Sequence, residues 1–486
     1  MAKVIVIGAG IAGIASAIRQ AVKGHEVAVY EANAYPGGKL SEFRSGDFRF
    51  DAGPSLFTMP QYVDELFSLA GKNPKDEFTY EKLETVCRYF YEDGTRINAW
   101  ANRDKLAEEI ALKTKDLASS VHQFLDYSAQ IYAITHSIFL EKSLHRLRSF
   151  LNWKTFKAVF RFPKIDPFRS MNTANTDFFT DDKTIRFFNR YATYNGSNPY
   201  KAPATLNVIP HLEQHFGAYF PKGGMAAITQ SLVKLAENLG VKFNYHARVE
   251  EILVEDKKVK GIRLNGENVS ADRVVSNMDI WFTYRQLLKN EVAPKRILNQ
   301  ERSSSALIFY WGIKAEFPEL DLHNIFFSED YKKEFAAIWE QQSIDVDPTI
   351  YVNISAKYQS GDAPKGAENW FVMINVPANT GQNWDELIAE ARKNIIDKLS
   401  RMLNRDIAQL IVTEELLDPR SIEQKTASYQ GSLYGTSSNN QFAAFLRHAN
   451  FSSKIKGLYF VGGSVHPGGG IPLALLSAKI VDELSA

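Results

Sequence analysis

Residues 4–31 read VIVIGAGIAGIASAIRQAVKGHEVAVYE. The opening is a short apolar run rich in β-branched residues, which reads as a buried parallel strand. It runs straight into Gly8-Ala9-Gly10-Ile11-Ala12-Gly13, a G-x-G-x-x-G. A helix-compatible stretch follows over 14–23, with a break at Gly24 and a second strand that ends on Glu31. Each step has a physical reason. Gly8 allows the tight turn, Gly10 lets backbone approach a pyrophosphate, and Gly13 lets helix and strand pack closely. The helix N-terminus offers free N–H groups to the anion. Glu31 can accept hydrogen bonds from a ribose hydroxyl, and its charge would repel a 2′-phosphate. A lone glycine motif is a weak signal; strand, helix and acid in this order predict a Rossmann-type nucleotide site.

Length and composition fit a cofactor enzyme of two or three domains. The chain has 486 residues, enough for a large core. Its net charge of +1 argues against nucleic acid as a partner. Cys87 is the single cysteine, so an intrachain disulfide and a cysteine metal cluster are excluded, which suits a reducing cytoplasm. Met1 leads directly into the first strand, so no signal peptide is expected. No apolar run reaches about 18 residues, so no transmembrane helix is expected either. Aromatic residues make up 12% of the chain, which suits a large apolar cavity or, equally, a large aromatic core.

The nucleotide-binding unit reads as three pieces, 1–60, 219–279 and 457–486. The middle piece holds Phe220-Pro221-Lys222-Gly223-Gly224-Met225, an amphipathic helix, two short strands and Val274-Val275-Ser276-Asn277. The last holds Leu458-Tyr459-Phe460-Val461-Gly462-Gly463, a loop to Gly470 and a helix over 471–484. Between them lie a mostly helical stretch, 61–218, and a mixed stretch, 280–456, expected to combine into one substrate domain. SALIFYWGIK and NWFVMINVP in the latter alternate apolar with other residues and read as strands.

Further motifs carry a family resemblance. Tyr35-Pro36-Gly37-Gly38-Lys39 and Phe50-Asp51-Ala52-Gly53-Pro54-Ser55 follow the opening. Arg190-Tyr191-Ala192-Thr193-Tyr194-Asn195-Gly196-Ser197-Asn198-Pro199 lies midway, and Gly462-Gly463-Ser464-Val465-His466-Pro467-Gly468-Gly469-Gly470-Ile471-Pro472 near the end. Together they resemble the bacterial carotenoid (phytoene-type) desaturases among the two-dinucleotide-binding-domain flavoproteins. Within that family the chain looks most similar to hydroxycarotenoid 3,4-desaturases and γ-carotene desaturases. The resemblance spans nearly the whole chain, with looser matches over 61–180 and 310–440. It implies an α/β fold: an interrupted Rossmann-type FAD-binding domain, an α+β substrate domain and a helical, membrane-associated insertion.

The resemblance also implies FAD, bound non-covalently. Its cofactor-binding positions fall on Gly8, Gly10, Ala12, Gly13, Glu31, Gly38, Lys39, Gly53, Pro54, Ser55, Val249, Gly463, Gly469, Gly470 and Ile471. The bare loop at residues 468–470 opens a helix whose positive end can face the flavin pyrimidine edge. Ser464 stands where many members have glycine, so close backbone approach is less expected there. The implied reaction places a carbon–carbon double bond in a carotenoid polyene by hydride transfer to flavin, with oxygen or a quinone as the final electron acceptor. A carotenoid isomerase of the same family and a flavin amine oxidase are the alternatives. Against the amine oxidase stands the absence of a cysteine near the C-terminus for covalent flavin attachment.

Catalytic residues are harder to name, because the cofactor carries the hard chemistry. His466 is a candidate for proton transfer, or for capping the helix that follows. Arg190 is a candidate for orienting the flavin or a substrate hydroxyl, or for a buried ion pair. His211, Glu213 and His215 alternate by two, and on a helix the two histidines share a face. Without a third ligand they make a weak metal signal, so no metal is expected. Residues 145–164, HRLRSFLNWKTFKAVFRFPK, interleave basic and apolar residues with no acid. That is the composition of a helix lying on an anionic bilayer, and the wider stretch 131–164 is the candidate membrane-contact region. The expected location is the inner face of the cytoplasmic membrane.

Overall fold

The computed structural model describes residues 1–136, 142–145, 162–440 and 446–485. The opening stretch forms the strand Lys3–Ile7, the helix Ile11–Val22 and the strand Glu26–Tyr30. These strands enter a five-stranded sheet, every pair of it parallel, in the order Lys242–Asn244, Glu26–Tyr30, Lys3–Ile7, Arg273–Ser276, Leu458–Phe460. The central strand is buried on both faces, as its near-continuous apolar run requires. Val4 and Val6 pack against the helices Ile11–Val22, Ala226–Asn238 and Ile471–Leu484. Ile5 and Ile7 point the other way, onto the three-stranded antiparallel sheet Glu251–Glu255, Lys258–Leu264, Glu267–Ser270. The stretch expected to hold two short strands after Ala226–Asn238 thus holds four, because 242–244 leaves to join the parallel sheet.

A second, seven-stranded sheet runs Ile411–Leu417, Ser305–Ile313, Glu368–Val376, Ile350–Asn353, His323–Phe326, Thr85–Phe90, Arg96–Trp100. The expected strands at 305–313 and 368–376 are present, but both strands are almost wholly buried. The alternation is therefore not core against solvent. Leu307, Phe309, Trp311, Val372 and Ile374 pack under the long helix Trp384–Leu403, whose Ile388, Ala391, Ile395 and Leu399 recur at helical spacing. Ile308, Tyr310, Phe371 and Met373 face an internal cavity.

Residues 61–218 are less helical than expected, since Thr85–Phe90 and Arg96–Trp100 form a hairpin within that sheet. Asp93-Gly94 supplies the turn, with Gly94 at φ 82°. Residues 211–215 follow neither periodicity cleanly: a short helix Val208–His211 runs into a π-helical turn, Leu212–Phe216. His211 and His215 stack at 4.7 Å while Glu213 is buried. The candidate membrane-contact region, 131–164, falls mainly on residues 137–141 and 146–161, outside the described residues. Among the described residues no helix is long and apolar enough to cross a membrane.

Two of the motifs meet at a buried carboxylate. Asp51 accepts from the backbone N–H groups of Met225 and Ala226 at 3.0 Å each, capping the helix Ala226–Asn238. Arg49 binds the same carboxylate at 2.8 Å and reaches Asp362 at 3.1 Å. Asp51→Ala would leave the buried guanidinium to Asp362 and Glu42 alone and would uncap the helix. We expect it to lower stability by about 3–5 kcal/mol, with a smaller loss for Asp51→Asn, both read from chemical unfolding of the apoprotein.

Candidate functional site

One cavity of about 1110 Å³ lies between the carboxyl ends of the parallel strands and the cavity face of the seven-stranded sheet. That volume exceeds the roughly 1,000 Å³ at the top of the range for single small-ligand sites. Its position, outside the strand ends of an open parallel sheet, is where such sheets bind nucleotides.

The nucleotide end is built from the first two strands. The helix Ile11–Val22 begins at Gly10, which offers no side-chain cap, and has no acid in its first turn, so its leading N–H groups other than that of Gly13 are left for an anion. Glu31 accepts from the Ala9 N–H at 2.7 Å and the Asn33 N–H at 2.8 Å. The carboxylate is thus oriented, with lone pairs to spare for a ribose hydroxyl. Gly37 donates to the Ala9 carbonyl at 2.7 Å, stitching the Gly37-Gly38 turn onto the first loop. Gly13 lies behind the cavity wall: a Cβ there would stand 2.2 Å from the Gly8 carbonyl oxygen. The remaining predicted cofactor positions, Gly8, Gly10, Ala12, Glu31, Gly38, Lys39, Gly53, Pro54, Ser55, Val249, Gly463, Gly469, Gly470 and Ile471, all line the cavity.

Asn277 was not singled out in the sequence, yet it joins three segments. Its Oδ1 accepts from Gly13 N–H at 3.0 Å and its Nδ2 donates to the Val461 carbonyl at 3.2 Å. A Cβ at Gly10 would meet that Oδ1 at 2.6 Å, and one at Gly462 would meet the Nδ2 at 2.5 Å. Gly10 is therefore needed by the protein's own packing, and not only by a pyrophosphate.

The opposite wall comes from the C-terminal loop. Gly470, at φ 99°, precedes the helix Ile471–Leu484, which has no side-chain cap, and a Cβ there would meet nothing within 4 Å. Gly469 is tight instead, since a Cβ would stand 2.8 Å from Tyr434. Arg447, also not singled out, is buried behind this loop and donates to the carbonyls of Tyr434 at 3.1 Å and Gly463 at 3.3 Å. Ser464 lines the cavity, and its hydroxyl accepts from the Ile280 N–H at 2.9 Å. Lys39 crosses to the 432–433 turn, donating to both carbonyls, and burial lowers its ammonium to about 8. An uncapped helix end, an oriented acid and a side-chain-free loop in one cavity fit a flavin dinucleotide.

His466 and Arg190 reach the cavity in settings that shape their roles. His466 donates from Nε2 to the Lys142 carbonyl at 2.9 Å, and burial lowers its pKa to about 4. It is neutral with that proton engaged, which suits positioning the loop better than accepting a proton. Arg190 lies among the rings of Tyr89, Tyr191 and Tyr194 at 4.8–5.1 Å. Glu213 is its counter-ion at 3.8 Å, too far for a hydrogen bond, and the Tyr191 and Tyr194 hydroxyls each donate to one of the carboxylate oxygens at 2.5 Å. His211 and His215 stand outside the cavity lining.

The family described as flavin containing amine oxidoreductase matches residues 11–481. A 1-hydroxycarotenoid 3,4-desaturase of Flavobacterium sp. (strain P99-3) is 50% identical over 100% of this chain and 99% of its own. A 4,4'-diapolycopene oxygenase of Methylomonas sp. is 35% identical over 99% of this chain and 97% of its own. Among solved structures, cyclohexylamine oxidase from Brevibacterium oxydans IH-35A superposes with a TM-score of 0.63 at 16% identity, covering 100% of both chains. Putrescine oxidase bound to putrescine gives 0.65 at 15%, over 100% of this chain and 99% of that one. At such identity the structural likeness speaks to fold alone.

Two outcomes follow from this geometry. Gly10→Val should abolish flavin binding, read as loss of the visible flavin spectrum in protein that retains its far-UV circular dichroism, because the new side chain displaces Asn277. The second concerns pH. Burial lowers His211, His448 and His466 to about 4 and His323 to about 3. The unfolded chain, with histidines near 6.5, binds more protons, so this stability is full above 6.5 and is lost as pH falls toward 4. Thermal unfolding should show a Tm that drops steadily across that window.

Proposed function

We infer, from the premise that this chain belongs to the flavin-containing amine oxidoreductases, and among them to the flavin-dependent carotenoid desaturases and oxygenases, that it desaturates a 1-hydroxycarotenoid at the 3,4 bond. The chain is an FAD-dependent oxidoreductase; what we propose is its substrate and the place of reaction. The observation that carries the reading is one uninterrupted cavity whose lining passes from the dinucleotide cradle to a wall of Ile308, Tyr310, Phe371 and Met373. The full-length 50% identity to a 3,4-desaturase favours desaturation over the oxygenation named for the 35% relative.

FAD, when bound, supplies the hydride acceptor. Gly8, Gly10 and Ala12 would hold its diphosphate, Glu31 its adenosine ribose, with Val249 alongside. Gly38, Lys39, Gly53, Pro54, Ser55, Gly463, Gly469, Gly470 and Ile471 would line the flavin, held without a covalent bond. His466 and Arg447 fix the C-terminal loop from behind. The apolar wall keeps water from the polyene's reacting end, so the cation left there would be spread along its double bonds rather than captured by solvent, and a neighbouring proton passed to water at the open end of the cavity would complete the double bond. No strong base is required for that step. The electrons pass on to oxygen or a quinone. A carotenoid dissolves in lipid, so the enzyme would meet a bilayer through the basic, aromatic 145–164 stretch read in the sequence.

The deciding measurement is anaerobic mixing of the flavin-loaded protein with a 1-hydroxycarotenoid in anionic liposomes. Flavin bleaching together with a red-shifted polyene spectrum is expected. A polyene change without flavin reduction would mean isomerisation, and reduction by a primary amine in place of the carotenoid would mean an amine oxidase. Replacing Arg146, Arg148, Lys154, Lys157 and Arg161 with Glu should release the protein from the liposomes, as each basic group near such a surface contributes about 1 kcal/mol. Equal sedimentation of parent and variant would place the membrane contact elsewhere.

A further inference from the structure

Beside the flavin cradle the cavity carries hydrogen-bond donors that the protein does not satisfy. Arg190 leaves Nε and Nη2 without a hydrogen-bond partner, Nη2 having only its counter-ion Glu213 at 3.8 Å, and His323 leaves Nε2 without one. Both side chains are at least nine-tenths buried and both line the cavity. Burial first, and then the charge of Arg190, depresses His323 to about 3.

The proton on His323 can be located from its partners. Asn353 donates from Nδ2 to the Leu322 carbonyl at 3.0 Å, which fixes the orientation of that amide. The same Nδ2 lies 3.2 Å from His323 Nδ1, and the Tyr351 hydroxyl lies 2.7 Å from it. Nδ1 is therefore the acceptor of both, and the ring hydrogen sits on Nε2. Ser55 Oγ, 2.6 Å from the Tyr351 oxygen, completes a chain that runs Ser55 to Tyr351 to His323. Arg190 is held just as firmly, with Nη1 donating to Tyr194 at 2.9 Å and Glu213 as its counter-ion at 3.8 Å. What borders the cavity here is a pair of fixed polar groups: Arg190, with no acceptor at Nε and only the distant Glu213 at Nη2, and His323, with none at Nε2.

We propose that Arg190 and His323 form a pocket that receives an oxygen atom carried near the reacting end of the polyene. A hydrocarbon end would leave the donors unpaired, whereas a hydroxyl oxygen accepts from both. The pocket also stands where such an oxygen has to be. Ser55 directly follows Gly53 and Pro54 of the flavin-lining segment. On the other side, Asn195, next to Tyr194, accepts from Arg447 Nη2 at 3.3 Å, and Arg447 holds the flavin loop. A hydroxyl on C1 lies two carbon–carbon bonds from C3, so anchoring it here brings the 3,4 bond to the flavin. The pocket rests on the desaturase reading and adds the means by which a hydroxylated end is chosen. Arg190 and His323 are thus specificity-determining positions.

The test compares a 1-hydroxycarotenoid with its 1-deoxy counterpart of equal polyene length, both in liposomes, using the flavin-loaded full chain. The parent should prefer the hydroxylated substrate in kcat/KM by about 10–100-fold, as a site with buried donors rejects the analogue that lacks the oxygen. His323→Leu should lower that preference about tenfold, and His323→Gln, whose amide can present a donor in the same place, should retain most of it. No preference in the parent would overturn the pocket, and that comparison stands even if a variant fails to fold. Equal losses on both substrates in His323→Leu would also overturn it, leaving His323 a structural residue. If neither polyene reduces the flavin, the desaturase reading itself fails and the pocket with it.

Discussion

The amide of Asn277 is the contact on which the rest of this structure depends. It ends the strand Arg273–Ser276, takes the Gly13 N–H on one side and gives a hydrogen bond to the Val461 carbonyl on the other. The two partners lie 264 and 184 residues away, so one side chain closes three separate pieces of chain into a single nucleotide cradle. Space around it is short. Added Cβ atoms at Gly8, Gly10, Gly13 and Gly462 would stand 2.5–3.6 Å from this residue. The glycines of the first motif and one of the last are set by the same neighbour. The cradle is shaped by a protein–protein contact before any cofactor meets it.

This economy of polar contacts recurs across the cavity. Lys39 is held by two carbonyls, Arg447 by four acceptors, and Tyr310 donates to the Ala52 carbonyl at 2.7 Å. Buried polar groups are normally paired, because an unpaired one forfeits its hydration. Against that background the free donors of Arg190 and His323 stand out. So does the neutrality of His466, whose ring is engaged by a backbone carbonyl. The first pair is arranged to meet a guest, and the second group to hold its own loop.

Legibility in the sequence followed local pattern. The Gly8 to Gly13 turn, Glu31 and the Gly468 to Gly470 loop sit in a recognisable order of strand, glycine turn and helix, so local rules recover them although Glu31 accepts from Ala9, 22 residues away. Asn277, Arg447 and the Tyr351–His323 pair sit in no such pattern, and nothing local marks them. The hairpin at 85–100 had a usable signal in Asp93-Gly94 that the aromatic-rich flanks obscured. The 211–215 stretch misleads for a different reason. A π-helical turn obeys neither the strand period nor the helix period, and it turns Glu213 inward toward Tyr191 and Tyr194. At 305–313 the alternation was real, but its second face met a cavity in place of solvent.

That last arrangement separates two kinds of selection. Along one strand, Leu307, Phe309 and Trp311 answer to the helix Trp384–Leu403, while Ile308 and Tyr310 answer to whatever fills the chamber. The pleat assigns the roles by parity. Of the even positions, Ile308 and Tyr310 are the ones that shape the chamber, as Phe371 and Met373 do on the adjacent strand. The sheet is an adjustable mould fixed to a rigid backing. A lineage built on it can drift from one polyene end to another, one side chain at a time, while its scaffold stays intact.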